Sequence, residues 1–356
     1  MITPAIRFQR KDETGFFREL KNRIDNYFEE NKLTKTGGSR MVWKAVGMMS
    51  MYLLPYGLIL SGMFGPWTML LLCIWMGAGL AGVGMSVMHD ACHGAFSDKR
   101  WVNKLFARSM YLVGGNVYNW KIQHNTLHHT FTNVHHADED IAGKAFLRLD
   151  RNDELKPSHR YQHYYAFALY TLMTIAFHVK DFRQVWNWGK QTSRKVFVRE
   201  FSLLVLGKLF FFAFLLVPPM LMLDVAFWQV LIGFMAINLT SGFILSVIFQ
   251  LAHIVEEAEQ IKALDGEIDH IFAVHQLKTT ANFSPRSKFL TWYLGGLNFQ
   301  VEHHLFPNIC HLHYKHLAPI VEKTAREYNV SYHIHQTFGS ALSSHMRMLK
   351  RLGTQP

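Results

Sequence analysis

The sequence predicts an all-α integral membrane protein, with four transmembrane helices in two hairpins and a cytosolic helical cap that holds a histidine-rich metal site. Three observations carry this prediction. Residues 45–88 contain no Asp, Glu, Lys or Arg. Residues 209–255 contain one such residue, Asp224. The 21 histidines crowd beyond the charge-free stretches, with seven of them between 89 and 136. The composition agrees: of 356 residues, 49% are hydrophobic and 18% charged, with a mean hydropathy of +0.03. Apolar residues and charges therefore sit in separate blocks, which excludes disorder and argues against one ordinary soluble domain. Cys73, Cys92 and Cys310 form no CxxC pair and no disulfide framework.

Residues 1–43 are expected as a cytosolic N-terminal arm. They are too charged to read as a secretion signal. Phe16, Phe17, Leu20, Ile24, Tyr27 and Phe28 recur at helical spacing, so residues 14–30 predict an amphipathic helix against the membrane or the cap. The membrane domain is expected over 44–340. A bilayer core of about 30 Å needs about 20 apolar residues per helix, so the first stretch holds two spans, about 45–64 and 67–88. Gly62, Gly65 and Pro66 break it into a hairpin. The second stretch gives spans at about 200–219 and 226–250, with Pro218, Pro219 and Asp224 marking the turn. Weaker apolar segments at about 103–118 and 164–178 suit helices at the interface or on the cap. Residues 341–356 are left as a C-terminal tail.

Two hairpins put both termini and both long segments, 89–199 and 251–340, on one side. Neither hairpin tip carries Lys or Arg, so the net charge of +11 falls on the other side, which is then cytoplasmic. That excess suits topology and attraction to anionic lipid. Nucleic-acid binding is not expected, because no basic face with interleaved aromatics stands on a soluble module.

The histidines fall into groups. His89 and His93 are four apart at the end of the second span, so on a helix they share one face. His124 and His128 repeat the spacing, and His129 sits about 100° further round, by helical periodicity. Asp138 and Asp140 follow as candidate acceptors for imidazole N–H groups, which would leave the other ring nitrogen free for metal. Gln300 and His304 are again four apart, with His303 beside them. Gln300 can offer a carbonyl oxygen to a metal or a hydrogen bond to its water. His253 stands alone after the fourth span. Together, eight imidazoles (His89, His93, His124, His128, His129, His253, His303 and His304) can converge on the cytoplasmic side. Eight are too many for one metal and suit two. Imidazole suits iron, copper, zinc and nickel. With no obvious Glu to activate water, redox-inactive zinc fits poorly, and two irons activating O2 is the better reading. The other histidines, among them His311, His313, His333 and His335, have no such geometry and default to structural roles.

With these residues in view, the chain resembles the membrane fatty acid desaturase family. The resemblance is carried by HDACH at 89–93, HNTLHH at 124–129 and QVEHH at 300–304. FTNVHHADEDI at 131–141, HQLKTTANFS at 275–284 and GGLNFQVEHHLFPNICHLHY at 295–314 support it, and the likeness covers about 45–320. A third box that begins with Gln is similar to the front-end subgroup, which adds a double bond between an existing one and the carboxyl end.

The resemblance implies a four-span fold, a cytosolic cap with two non-haem irons, O2 as co-substrate, and an acyl tunnel under the metals. It implies the eight histidines as ligands and leaves open whether Gln300 binds directly or through water. Trp120, Trp292 and Phe299 are candidate tunnel walls. The substrate is expected to be a fatty acyl group, as acyl-CoA or acyl-lipid. Many front-end members carry a fused cytochrome b5 with an HPGG motif; none is found here, so electrons are expected from a separate ferredoxin, or from cytochrome b5 with its reductase. A bacterial plasma membrane is expected rather than endoplasmic reticulum. The alternative is a hydroxylase on the same scaffold. A metal transporter would need ligands within the spans near the midplane, not at their ends.

Overall fold

The computed structural model describes residues 5–142 and 146–355. Helix α1 (Phe16–Glu30) precedes α2 (Gly38–Leu60) and α3 (Pro66–His93). Helix α4 (Met173–Gly189) leads to α5 (Arg194–Met222) and α6 (Phe227–His253). Helices α7 (Tyr314–Glu327) and α8 (Phe338–Thr354) follow. The fold is mostly but not entirely helical. Parallel strand pairs join β1 (Arg7–Phe8) to β2 (Glu267–Ile268), and β3 (Ala281–Phe283) to β4 (His333–His335). Each pair ties segments distant in sequence, which spacing alone does not reveal.

Among the described residues, three helices are long and apolar enough to cross a membrane: α3, α5 and α6. The expected first span, now α2, is not among them. Arg40 and Lys44 fill its first turns, and Ser50, Tyr52 and Tyr56 dilute the rest. Helix α3 is the central one, packed between α2 and α6. Glycines allow this closeness. A Cβ on Gly79 would meet the Met51 carbonyl oxygen of α2 at 2.4 Å, and one on Gly77 would meet the Ile237 carbonyl oxygen of α6 at 2.6 Å.

The second hairpin corrects one expectation. Pro218 and Pro219 lie inside α5, and the turn falls at Leu223–Ala226. Pro218 has no N–H for the Phe214 carbonyl, and the Tyr56 hydroxyl donates to that carbonyl instead. The two weaker apolar segments form short helices, Arg100–Ala107, Ser109–Leu112 and Gln162–Tyr170, together with the start of α4.

In the cap, α1 buries Phe16, Leu20, Ile24 and Phe28 in one cluster with Leu317, Val321 and Ala325 of α7. Arg23 donates to Glu327 at 2.6 Å across the same seam. The amphipathic face of α1 is thus used by the cap. The segment from 341 belongs to α8, which buries Ala341, Ser344, His345 and Leu349.

Candidate metal centre

Four elements deliver the imidazoles. The last five residues of α3 are helical and carry His89 and His93. The short helix Val117–Trp120 runs into a π-helical turn, Lys121–His128, that carries His124 and His128. His253 ends α6, and the helix Gln300–Leu305 carries His303 and His304. Hydrogen bonds lock these elements together. Asn119 donates to Asp181 of α4, and Lys208 of α5 is paired with the same carboxylate. Asn133 Nδ2 donates to the His253 carbonyl at 2.8 Å.

The π turn changes what the second box presents. The N–H of His129 bonds to the carbonyl of His124, five residues back, at 3.0 Å. Wider winding brings residues five apart towards one face. His129 Nε2 therefore lies 3.2 Å from His124 Nε2 rather than well round the helix.

The eight rings meet in two groups. Ligand-type nitrogens of His89, His93, His124 and His303 lie within 4.8 Å of one another. Those of His128, His253 and His304 form the second group. His129 closes on His303 and His304, between the two. His124 Nε2 faces both His89 Nε2 at 3.1 Å and His129 Nε2 at 3.2 Å. One ring proton cannot serve both contacts.

The outer nitrogens of His128, His303 and His304 have partners, while Nδ1 of His89, His129 and His253 has none among the described residues. Asp138 Oδ2 lies 3.0 Å from His128 Nδ1, and the N–H groups of Asn133 and Asp140 hold that carboxylate. Asp140 Oδ2 is 3.5 Å from the same nitrogen. Burial opposes charge on His128, but Asp138 outweighs it and raises the pKa. His304 Nδ1 meets Gln276 Oε1 at 3.0 Å and Thr132 Oγ1 at 3.1 Å. His303 Nδ1 meets the Tyr314 hydroxyl at 3.2 Å. The inner Nε2 atoms of His93, His128, His303 and His304 are buried with no hydrogen-bond partner among the described residues. Burial first, and neighbouring imidazoles second, hold His124, His129, His303 and His304 well below the usual histidine range. Inward lone pairs, with the outer nitrogens of His128, His303 and His304 held by partners, fit two divalent metals. Left empty of a cation, the same orphaned nitrogens would be a standing desolvation cost.

Of the other predicted residues, Gln300 is buried at the start of its helix, one residue after Phe299. Trp120 stacks on His124 at 4.3 Å and touches His89 and His93 at 5.5 Å. Trp292 is 43% exposed and faces Gly47 of α2, while Phe299 packs in the cap core with Phe16 and Leu20. The sequence offered no periodic signal for Gln276, Thr132, Tyr314 or Phe249, whose ring lies 4.8 Å from His128 and 4.9 Å from His253.

Comparison with known proteins bears on this geometry. A family model described as fatty acid desaturase matches residues 65–336. The sn-1 linoleoyl-lipid 6-desaturase of Arthrospira platensis is 32% identical over 347 residues, covering 96% of this chain and 94% of its own. The sn-1 linoleoyl-lipid 6-desaturase of Synechocystis sp. is 34% identical over 359 residues, 99% of each chain. The acyl-lipid (8-3)-desaturase of Physcomitrium patens is 33% identical over 354 residues, 98% of this chain and 74% of its own.

Proposed function

Given that the chain belongs to the fatty acid desaturase family, we propose that its eight imidazoles hold two irons and that it is a front-end desaturase acting on lipid-linked acyl chains. The enzyme is an O2-dependent oxidoreductase that desaturates fatty acyl groups. The hydroxylase alternative is not favoured, since the relatives reported above are all named desaturases. The observation that carries the metal assignment is the set of buried, unpartnered Nε2 atoms converging from four elements.

His89, His93, His124 and His303 would hold one metal, and His128, His253 and His304 the other, with His129 between them. Gln300 is open to a direct or a water-mediated role. When bound, the iron pair would supply the oxidising power for an unactivated C–H bond, which no side-chain acid or base can break. The protein's own work is position. Asp138 and Asp140 keep the proton of His128 on Nδ1, Gln276 and Thr132 orient His304, and Tyr314 orients His303. Trp120 and the apolar residues around it keep bulk water from the ligands. In balance, two hydrogens from the acyl chain, two electrons and two protons reduce O2 to two waters.

A lipid-linked linoleoyl substrate is supported by the names of the relatives from Arthrospira platensis and Synechocystis sp., which act on linoleoyl-lipid. The same relatives support a bacterial plasma membrane. Four spans, with α2 as the first, are supported by the pairing of α2 with α3 and by its exposed apolar residues Val42, Val46, Leu53 and Leu54. Both termini and the cap are then cytoplasmic, and a separate ferredoxin or cytochrome b5 supplies electrons. The deciding experiment expresses wild type, His124→Ala and His303→Ala in a host of known lipids. New double bonds are located by mass spectrometry, and iron is measured on purified protein. Both variants should insert, lose product to background and lose iron. Normal product from either one rejects the ligand assignment.

A further inference from the structure

Beside the imidazoles lies a second buried polar assembly that the ligand set does not use. Lys44 from α2, Asp90 from the end of α3, and His311 beyond the third box meet there, with exposures of 6%, 2% and 2%. Asp90 Oδ2 is 2.8 Å from His311 Nδ1 and also accepts the His311 backbone N–H at 3.2 Å. Lys44 Nζ is 2.6 Å from His311 Nε2. The chemistry of the groups assigns the protons. An ammonium only donates, so Nε2 of His311 is an acceptor. The ring proton is then on Nδ1 and is donated to Asp90. Donation runs one way, from Lys44 through His311 to Asp90. Asp90, Cys310 and His311 lie close enough to suggest a third metal cluster, but the Lys44 ammonium occupies the lone pair a cation would need.

Asp90 sits between two histidines of the first box. While Oδ2 is held by two N–H donors, Oδ1 lies 3.8 Å from Nδ1 of His89. That nitrogen has no hydrogen-bond partner among the described residues. His128 has an anchored carboxylate on the same side of its ring, Asp138, but at hydrogen-bonding distance, 3.0 Å, where Asp90 stands 3.8 Å from His89. A carboxylate fixed behind a ligating imidazole sets ring orientation and raises ligand basicity.

We propose that Lys44 and His311 are positioning residues for the first imidazole group, holding Asp90 where it orients His89. The proposal rests on the two-iron reading above and concerns only how one of the two sites is shaped. His311, which its sequence context leaves as a structural histidine, then acts on the first box through Asp90, 221 residues away in sequence.

The test counts iron on the purified full chain, reconstituted anaerobically with ferrous iron, with Mössbauer spectra to separate the two sites. Wild type should hold two irons. His311→Leu removes both side-chain hydrogen bonds and should hold one, with the spectrum of the second group retained. His311→Gln can offer an N–H to Asp90 and an oxygen to Lys44, and should keep both. Lys44→Met should weaken one iron about tenfold, as removal of supporting partners does elsewhere. Two irons in His311→Leu overturn the proposal. Equal losses in His311→Leu and His311→Gln overturn it too, since packing alone would then explain them. If His311→Leu gives no folded protein, Lys44→Met decides, and unchanged affinity there rejects the idea. A wild type that binds no iron would instead reject the two-iron reading.

Discussion

Histidines in this protein divide by what their second nitrogen does. His345 uses both: Nδ1 lies 2.7 Å from the Ile254 carbonyl and Nε2 lies 3.0 Å from the Tyr170 hydroxyl. His304 uses one and turns the other inward. The first pattern is structural and the second suits a metal. Burial lowers His345 to about 4. The unfolded chain takes up that proton near 6.5 and the folded chain only near 4, so stability falls as pH drops through this window. The contribution is up to about 3 kcal/mol. Melting curves between pH 7 and 5 should be flatter for His345→Gln than for wild type; parallel slopes would count against it. Gln276 is a second test. Its Oε1 meets His304 Nδ1 and its Nε2 donates to the His129 carbonyl. Gln276→Leu should weaken iron binding about 10–100-fold in chelator competition. The i, i+4 spacing pointed to His89, His93, His124, His128 and His304 as candidate ligands. Among the partners, Asp138 and Asp140 were legible because they follow closely in sequence, whereas Gln276 and Thr132 were not, because they are 144 residues apart and meet only in the folded chain.

Helices were legible where charge is absent, and less so at their ends. The charge-free runs located α3, α5 and α6, since a bilayer-length helix must satisfy its backbone internally and tolerates few charges. The prolines misled, because a proline late in a helix is tolerated once another donor takes the freed carbonyl, and Tyr56 comes from a different helix. The π turn at Lys121–His128 was also missed, because reading i, i+4 faces assumes α winding and does not show where an i→i+5 turn replaces it. The glycines of α3 give a test of packing. Gly77→Ala puts a Cβ against the backbone of α6. Overpacking of this kind costs about 1–3 kcal/mol. The detergent-purified variant should melt at a lower temperature, and an unchanged melting point would show that the helices separate more easily than this seam implies.

Across the molecule, the charge balance of +11 bears on the partner. Under the proposed reading, a basic face would draw an acidic electron carrier by long-range attraction, which salt screens within about 10 Å at 0.1 M. Turnover with a purified acidic donor should fall as ionic strength rises, at fixed substrate. A rate that ignores salt would remove electrostatic docking from the account. The amino-acid order alone determined that this is a membrane protein with two apolar hairpins and three histidine boxes. Hydropathy runs and helical periodicity are local, and both are written residue by residue. Tertiary structure alone decided which nitrogens face inward and which amides and hydroxyls stand behind them. It also brought Lys44 and Asp90 to His311, more than two hundred residues away. Those are contacts between elements remote in sequence, and only the packing of α2, α3, α6 and the cap brings them within hydrogen-bonding distance.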